Sequence, residues 1–181
     1  MNQFNENKAV GRLTEIIALS RGYKPTKARM IRNAATLHDI GKQKIDDSIL
    51  TKNGKLSAHE LEIVKTHTWL GAKMLSSIQG EIGEVTRLCC LLHHEWHNGD
   101  GYWKIPTCYL PEYLSFVAIA DVFCALVVVR PYKSAWPPEE ALDFIQSKAG
   151  TQFCPVLVKD FIWLIRNDNR IPAIFSEVFD E

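Results

Sequence analysis

A chain of 181 residues has room for one sizeable hydrophobic core, so a single domain over residues 1–181 is expected. Its 46% hydrophobic and 23% charged residues exclude disorder. The 21 Lys and Arg balance the 21 Asp and Glu, which excludes a whole-molecule field drawing in a nucleic-acid polymer or an anionic membrane, and any anionic ligand must meet a local group of cations.

In chain order, the opening "MNQFNENKAV" is polar and lacks the apolar run of a secretory leader. Apolar residues then recur at helical spacing: Val10, Leu13, Ile16 and Ile17; Met30, Ile31, Ala34 and Leu37; Leu61, Ile63, Val64 and Leu70. This periodicity predicts helices over about residues 8–21, 26–40, 57–78, 82–96, 112–128, 138–148 and 156–167, with no competing strand alternation. Pro25, Gly41, Gly54, Gly99-Asp100-Gly101, Pro111, Pro131, Pro137-Pro138 and Pro155 punctuate them. Ser57 and Glu60 form the two halves of a capping box. The expected fold class is all-α, a helical bundle of about seven helices with its chemistry at helix ends.

The five cysteines (Cys89, Cys90, Cys108, Cys124, Cys154) have no CxxC pairing, which suits reduced thiols and a cytoplasmic protein. The most apolar stretch, "YLSFVAIADVFCALVVV", is interrupted by Asp121 and too short to span a bilayer.

Several residues in this pattern carry chemistry. "LHDIGK" (37–42) sets His38 beside Asp39 where a helix meets Gly41, a candidate C-cap. Neighbours on a helix point about 100° apart, so the pair suits two adjacent ions with Asp39 bridging through its two oxygens. Taken alone, the pair is better explained as a capping aspartate beside a partly buried histidine. His67 follows in "KTHTWLG", and His93 and His94 in "HHEWHNGDGYW". Asp121 stands in an apolar helix, where a carboxylate needs an ion pair or a metal. Imidazoles mixed with carboxylates and no thiolate suit iron, manganese, nickel or zinc better than a structural zinc cage.

The ordered set "HDIGK … DSIL … GKL … KTH … HHE … GDGY … AD … RPYK" resembles the HD-GYP family, a branch of the HD-domain metal-dependent phosphohydrolases, over about residues 6 to 160. The resemblance implies an all-α fold and hydrolysis of a cyclic dinucleotide, cyclic di-GMP above all, to linear pGpG or GMP. It implies metal ligands at His38, Asp39, His67, His93, His94 and Asp121, with Glu6 where the family has a further histidine. It puts Lys42, Arg130 and Lys133 at the substrate phosphate and Tyr102 at the nucleotide, with Asp39 and Lys42 catalytic; Trp103, which the family does not have, either stacks on a base or covers core. The family's additional acidic ligand would fall near Asn2, so two divalent ions are expected, iron or manganese ahead of nickel or zinc. A signalling protein partner is compatible with the family.

The departures bear on substrate. "HHEWHNGDGYW" follows the family's "HHERxDGSGYP" position by position, but Trp103 replaces proline and the following Gly-Leu is missing. Cys124 and Cys154 stand where the family has aspartates. A catalytically weak nucleotide-sensing or protein-docking domain, or a phosphohydrolase acting on another nucleotide, stays open as an alternative. Glu6 could instead be a solvated residue near a frayed terminus. His97 is expected to be an exposed turn residue.

Overall fold

The computed structural model describes residues 3–128 and 135–179; Arg130 and Lys133 lie outside the described residues, as does Asn2. The longest helix, α1 (Gln3–Ser20), ends in a Schellman motif. The Tyr23 N–H donates to the Ala18 carbonyl and the Gly22 N–H to the Leu19 carbonyl, with Gly22 at φ +83°. Pro25 opens α2 (Pro25–Ala35) at a position where its missing N–H costs nothing. A 3-10 turn (Ile40–Lys44) and the short α3 (Asp47–Leu50) lead to α4 (Ala58–Lys65), α5 (His67–Met74), α6 (Gly80–Leu92) and α7 (Tyr113–Val127). The chain continues through α8 (Pro138–Ser147) and α9 (Pro155–Asn167) to α10 (Arg170–Phe179). No strand occurs among the described residues, so the all-α class holds.

The core gathers around α7. Its Phe116, Ile119 and Phe123 are fully or almost fully buried with Leu13 and Ile17 of α1, Ile31 of α2 and Phe161 of α9. Phe123 meets Phe161 edge to face with ring centroids 5.4 Å apart. Helix α1 packs on α2, α7 and α10, while α5 packs on α6 and on the 3-10 turn. That second group carries most of the site.

The seven expected helices are all present, with three differences. The segment expected as one helix over 57–78 is broken at Thr66 into α4 and α5. The break is satisfied locally: the Thr66 hydroxyl donates to the Ile63 carbonyl and the Thr68 hydroxyl to the Lys65 carbonyl. The His67 ring takes the Val64 carbonyl, so three side chains replace helix hydrogen bonds. The helix expected over 26–40 stops at Ala35, because the Leu37 and His38 N–H groups bond three residues back instead of four. Gly41 is accordingly not a left-handed cap but part of the 3-10 turn, and its smallness serves a close approach. A Cβ there would lie 1.9 Å from the His67 carbonyl oxygen. Third, α10 is not among the expected helices; its Pro172 stands in the first turn, where proline is tolerated, and its Ile171 and Ile174 are buried.

Candidate metal centre

His38, Asp39, His67 and His93 all stand at helix ends, and all are buried. His38 and Asp39 lie in the tight turns after α2, His67 begins α5, and His93 caps α6. The Cys90 thiol donates to the Leu37 carbonyl at 3.3 Å, fastening the turn before His38 to α6. Gly71 of α5 lies against Cys90 of α6: a Cβ at position 71 would be 3.3 Å from the Cys90 Cβ and 3.4 Å from its sulfur. The two helices and the turn therefore bring their ends to one point.

At that point each buried imidazole is oriented by its own backbone. Nδ1 of His38 lies 2.6 Å from the Ala35 carbonyl, and Nδ1 of His67 lies 2.6 Å from the Val64 carbonyl. Nδ1 of His93 lies 2.9 Å from the Cys89 carbonyl and 3.0 Å from that of Cys90. A carbonyl only accepts, so Nδ1 carries a proton in all three rings and the Nε2 atoms face inward. His67 Nε2 lies 3.2 Å and His93 Nε2 3.8 Å from Asp39 Oδ1. His38 Nε2 lies 3.4 Å from Asp39 Oδ2 and 3.5 Å from Asp121 Oδ1, and it has no well-aligned hydrogen-bond partner. The Nε2 atoms of His67 and His93 are 3.3 Å apart. Two lone pairs at that separation repel each other unless a cation or a proton lies between them.

The donor atoms fall into two sets, each within 4.8 Å: His67, His93 and His94, and His38, Asp39 and His93. Asp121 joins the second through His38. The residues present thus fit divalent ions: oriented imidazoles, a carboxylate between the two sets, and a buried nitrogen with no aligned hydrogen bond. His38 and Asp39 converge more closely than adjacent residues of a regular helix could, because they sit in the tight turn beyond α2.

The electrostatics of the cluster are those of a site built for positive charge. Burial acts to lower the His38 pKa, but Asp39 and Asp121 outweigh it and hold the ring up at about 10. Burial likewise acts to raise the Asp39 and Asp121 carboxyls. Lys42 and His38 outweigh it at Asp39, and His38 at Asp121, so both stay well below the usual carboxylate range. Burial, reinforced by His94, pushes His93 well down; burial takes His94 to about 4, so both rings are neutral at pH 7. Lys42 reaches Asp39 Oδ2 at 2.5 Å.

The remaining expected residues are placed as follows. The Tyr102 ring lies 4.5 Å from that of His94, centroid to centroid, with Lys65 Nζ 5.4 Å from the tyrosine centroid. Trp103 is 47% exposed. Glu6 is buried in the first turn of α1, against the expectation of a solvated terminus, and belongs to neither donor set. His97 is half-buried rather than exposed, with Nδ1 3.3 Å from the Thr107 hydroxyl. Sequence reasoning missed Glu95, which is 2% exposed and accepts the N–H groups of Trp103 and Ile105 at 2.7 Å each. The signal was its place directly after the two histidines.

Comparison with known proteins supplies the context. The HD domain family profile matches residues 2–157. The chain is 39% identical to the cyclic di-GMP phosphodiesterase response regulator RpfG of Xanthomonas campestris, over 77% of this chain and 37% of that protein. It is 38% identical to a cyclic di-GMP phosphodiesterase of Thermotoga maritima, over 100% of this chain and 49% of that protein. It is also 37% identical to 3'3'-cGAMP-specific phosphodiesterase 2 of Vibrio cholerae, over 80% of this chain and 28% of that protein. The chain thus spans less than half the length of these relatives. Among solved structures, Bd1817, an HDG"Y"P protein from Bdellovibrio bacteriovorus, shares the fold with a TM-score of 0.71 at 16% identity, over 92% of this chain and 53% of that one. No helix of the described residues is long and apolar enough to cross a membrane.

Proposed function

This chain belongs to the HD domain family, and on that premise we propose that it hydrolyses a phosphodiester bond of a cyclic dinucleotide, cyclic di-GMP first, to linear pGpG or GMP. The observation that carries this reading is the convergence of three imidazoles on Asp39, each with Nδ1 committed to a backbone carbonyl and Nε2 turned inward. The names of the relatives, cyclic di-GMP and 3'3'-cGAMP phosphodiesterases, support the substrate class.

In this reading His67, His93 and His94 would hold one divalent ion and His38, Asp39 and Asp121 a second, and Glu6, buried in the first turn of α1, would be a further ligand of the second. Iron or manganese fits the mixed nitrogen and oxygen donors, ahead of nickel or zinc. When bound, such ions supply Lewis acidity and lower the pKa of a nucleophilic water. Asp39 orients that water from its place between the two donor sets. Lys42, beside Asp39, offsets charge building on the phosphate oxygens, a task for which Arg130 and Lys133 are the further cations. Tyr102 and Trp103 receive the bases on the open side. The cytosol is where this substrate would be met, and a signalling protein is the partner class that fits a domain spanning part of its relatives' length.

The test is to purify the protein anaerobically, quantify its metals, and follow cyclic di-GMP, 3'3'-cGAMP and simple phosphomonoesters by chromatography, with Asp39→Ala as control. Two metals per chain and dinucleotide turnover abolished by the substitution are expected; a metal-free protein sinks the reading. A second reading, a metal-holding domain that senses a nucleotide or docks a partner, is favoured by the altered loop: Lys104 takes the left-handed φ of +59° where a glycine would be at ease. Tight dinucleotide binding without turnover would select it, and turnover of another nucleotide alone would redirect the substrate assignment.

A further inference from the structure

The loop that carries Tyr102 is fastened to the histidine pair at three places. Gly101 lies so close to the 94–96 backbone that a Cβ would be 2.6 Å from both Glu95 Cα and the His94 carbonyl oxygen. The Trp103 indole N–H donates to the Leu91 carbonyl at 2.9 Å, in the last turn of α6. Between these, the two oxygens of Glu95 divide the work: Oε1 accepts the Trp103 N–H and Oε2 the Ile105 N–H, each at 2.7 Å. Lys104, flanked by the two donors, is the one non-glycine residue at positive φ among the described residues. Two N–H groups astride a left-handed residue form a concave anion cradle, and here the anion is a buried side chain of the same protein. A proline at 103 would have no N–H for the first of these bonds, so the hold depends on the tryptophan that replaces it.

We propose that Glu95 is a positioning residue for substrate: its carboxylate folds residues 99–105 so that Tyr102 is set beside His94, and the exposed face of Trp103 is fixed, before any ligand arrives. The inference rests on the dinucleotide reading above for its consequence, though not for the hold itself. Without the carboxylate the two N–H bonds astride Lys104 no longer balance its strain, and residues 103–105 loosen although the Trp103 indole still reaches Leu91, while the donor sets, oriented by their own carbonyls, stay in place.

The test compares wild type, Glu95→Gln and the double variant Glu95→Gln with Lys104→Gly. Glutamine keeps one acceptor but points an NH2 at the second N–H. The expected result is unchanged metal content and unchanged turnover of bis(p-nitrophenyl) phosphate, a diester with no bases. The KM for cyclic di-GMP or 3'3'-cGAMP should rise about tenfold or more, the scale of one lost charge-assisted hydrogen bond. Glycine at 104 should recover part of that loss, because it adopts positive φ without help. An unchanged KM overturns the proposal, and so does loss of metal and of turnover on both substrates, which would place Glu95 in the support of the donor set. Amide exchange in metal-free protein reads the hold separately: the Trp103 and Ile105 N–H groups should be protected in wild type and exchange at least about tenfold faster in Glu95→Gln. If wild type turns over neither substrate, the dinucleotide reading fails alone and the exchange result still decides the hold. If Glu95→Gln does not fold, wild-type exchange at open-loop rates overturns the proposal and protection upholds it.

Discussion

Replacing Gly41 by alanine should damage stability and metal binding together. The added Cβ would lie 1.9 Å from the His67 carbonyl oxygen and 2.5 Å from the Gly71 nitrogen, where ordinary contacts stay beyond 3.0 Å. Both obstacles are backbone, so no side-chain rotation gives relief, and the turn must withdraw from α5 by roughly 1 Å. Overpacking of this kind costs about 1–3 kcal/mol in general, and a backbone-to-backbone clash belongs at the upper end, about 3 kcal/mol. For a chain of this size that corresponds to a fall of about 6–12 °C in melting temperature. The withdrawal also moves Asp39, two residues away, from His67, whose Nε2 it approaches at 3.2 Å. Metal affinity should drop roughly 10- to 100-fold, the range seen when ligand support is disturbed. Gly71→Ala provides the graded comparison, since its nearest atoms lie at 3.2–3.4 Å and include the yielding side chain of Cys90. Thermal denaturation with added chelator separates the stability effect, and metal titration gives the affinity. A Gly41→Ala protein that melts within about 2 °C of wild type and binds metal normally would refute this account of how the two arms of the site are held together.

Ser57→Ala removes the acceptor of the Glu60 N–H and should lower stability by about 1 kcal/mol with metal content untouched, read from urea midpoints. Metal-free protein should be most stable near pH 6.5. His38 is raised from 6.5 to about 10, so its contribution is complete below 6.5 and fades as pH climbs toward 10. His94 is lowered to about 4, so between 6.5 and 4 the unfolded chain binds the extra proton and stability falls as the pH falls; a urea midpoint that keeps rising from pH 6.5 to 9 would contradict the His38 assignment, and one that is flat between pH 6.5 and 4 would contradict that of His94. Metal loading at pH 7 should release the His38 proton, seen as a calorimetric enthalpy that scales with the ionisation heat of the buffer. Phe161→Ala should cost about 3–5 kcal/mol by opening a cavity against Phe123, without changing the metal-to-protein ratio of the folded fraction.

Periodicity located the helices that build the core, since burying an apolar stripe is what those segments are for, and Ser57 with Glu60 marked a helix start that the structure reproduces bond for bond. What periodicity could not show was where helices stop in order to turn a ligand inward. Nothing in the apolar spacing of 57–78 marks Thr66, because the break is stabilised by hydroxyls and an imidazole that continue the local hydrogen bonding after the helix pattern lapses. The donor set was legible through motif order, and Asp121 through its misfit in an apolar helix. Glu95 was passed over because an acid beside two histidines looks like another polar loop residue; only its burial and its two N–H donors reveal its task. Gly41 was assigned to a cap for want of knowledge of what lies opposite it.

The orienting carbonyls have a thermodynamic consequence. Each belongs to the same short turn as the ring it steers: Ala35 for His38, Val64 for His67, and Cys89 and Cys90 for His93. Rotamer freedom of the three imidazoles is therefore surrendered during folding, one segment at a time, and does not have to be surrendered again when an ion arrives. Each ring keeps its aim relative to its own helix, so capture of the ion becomes a matter of closing distances between pieces that already point the right way.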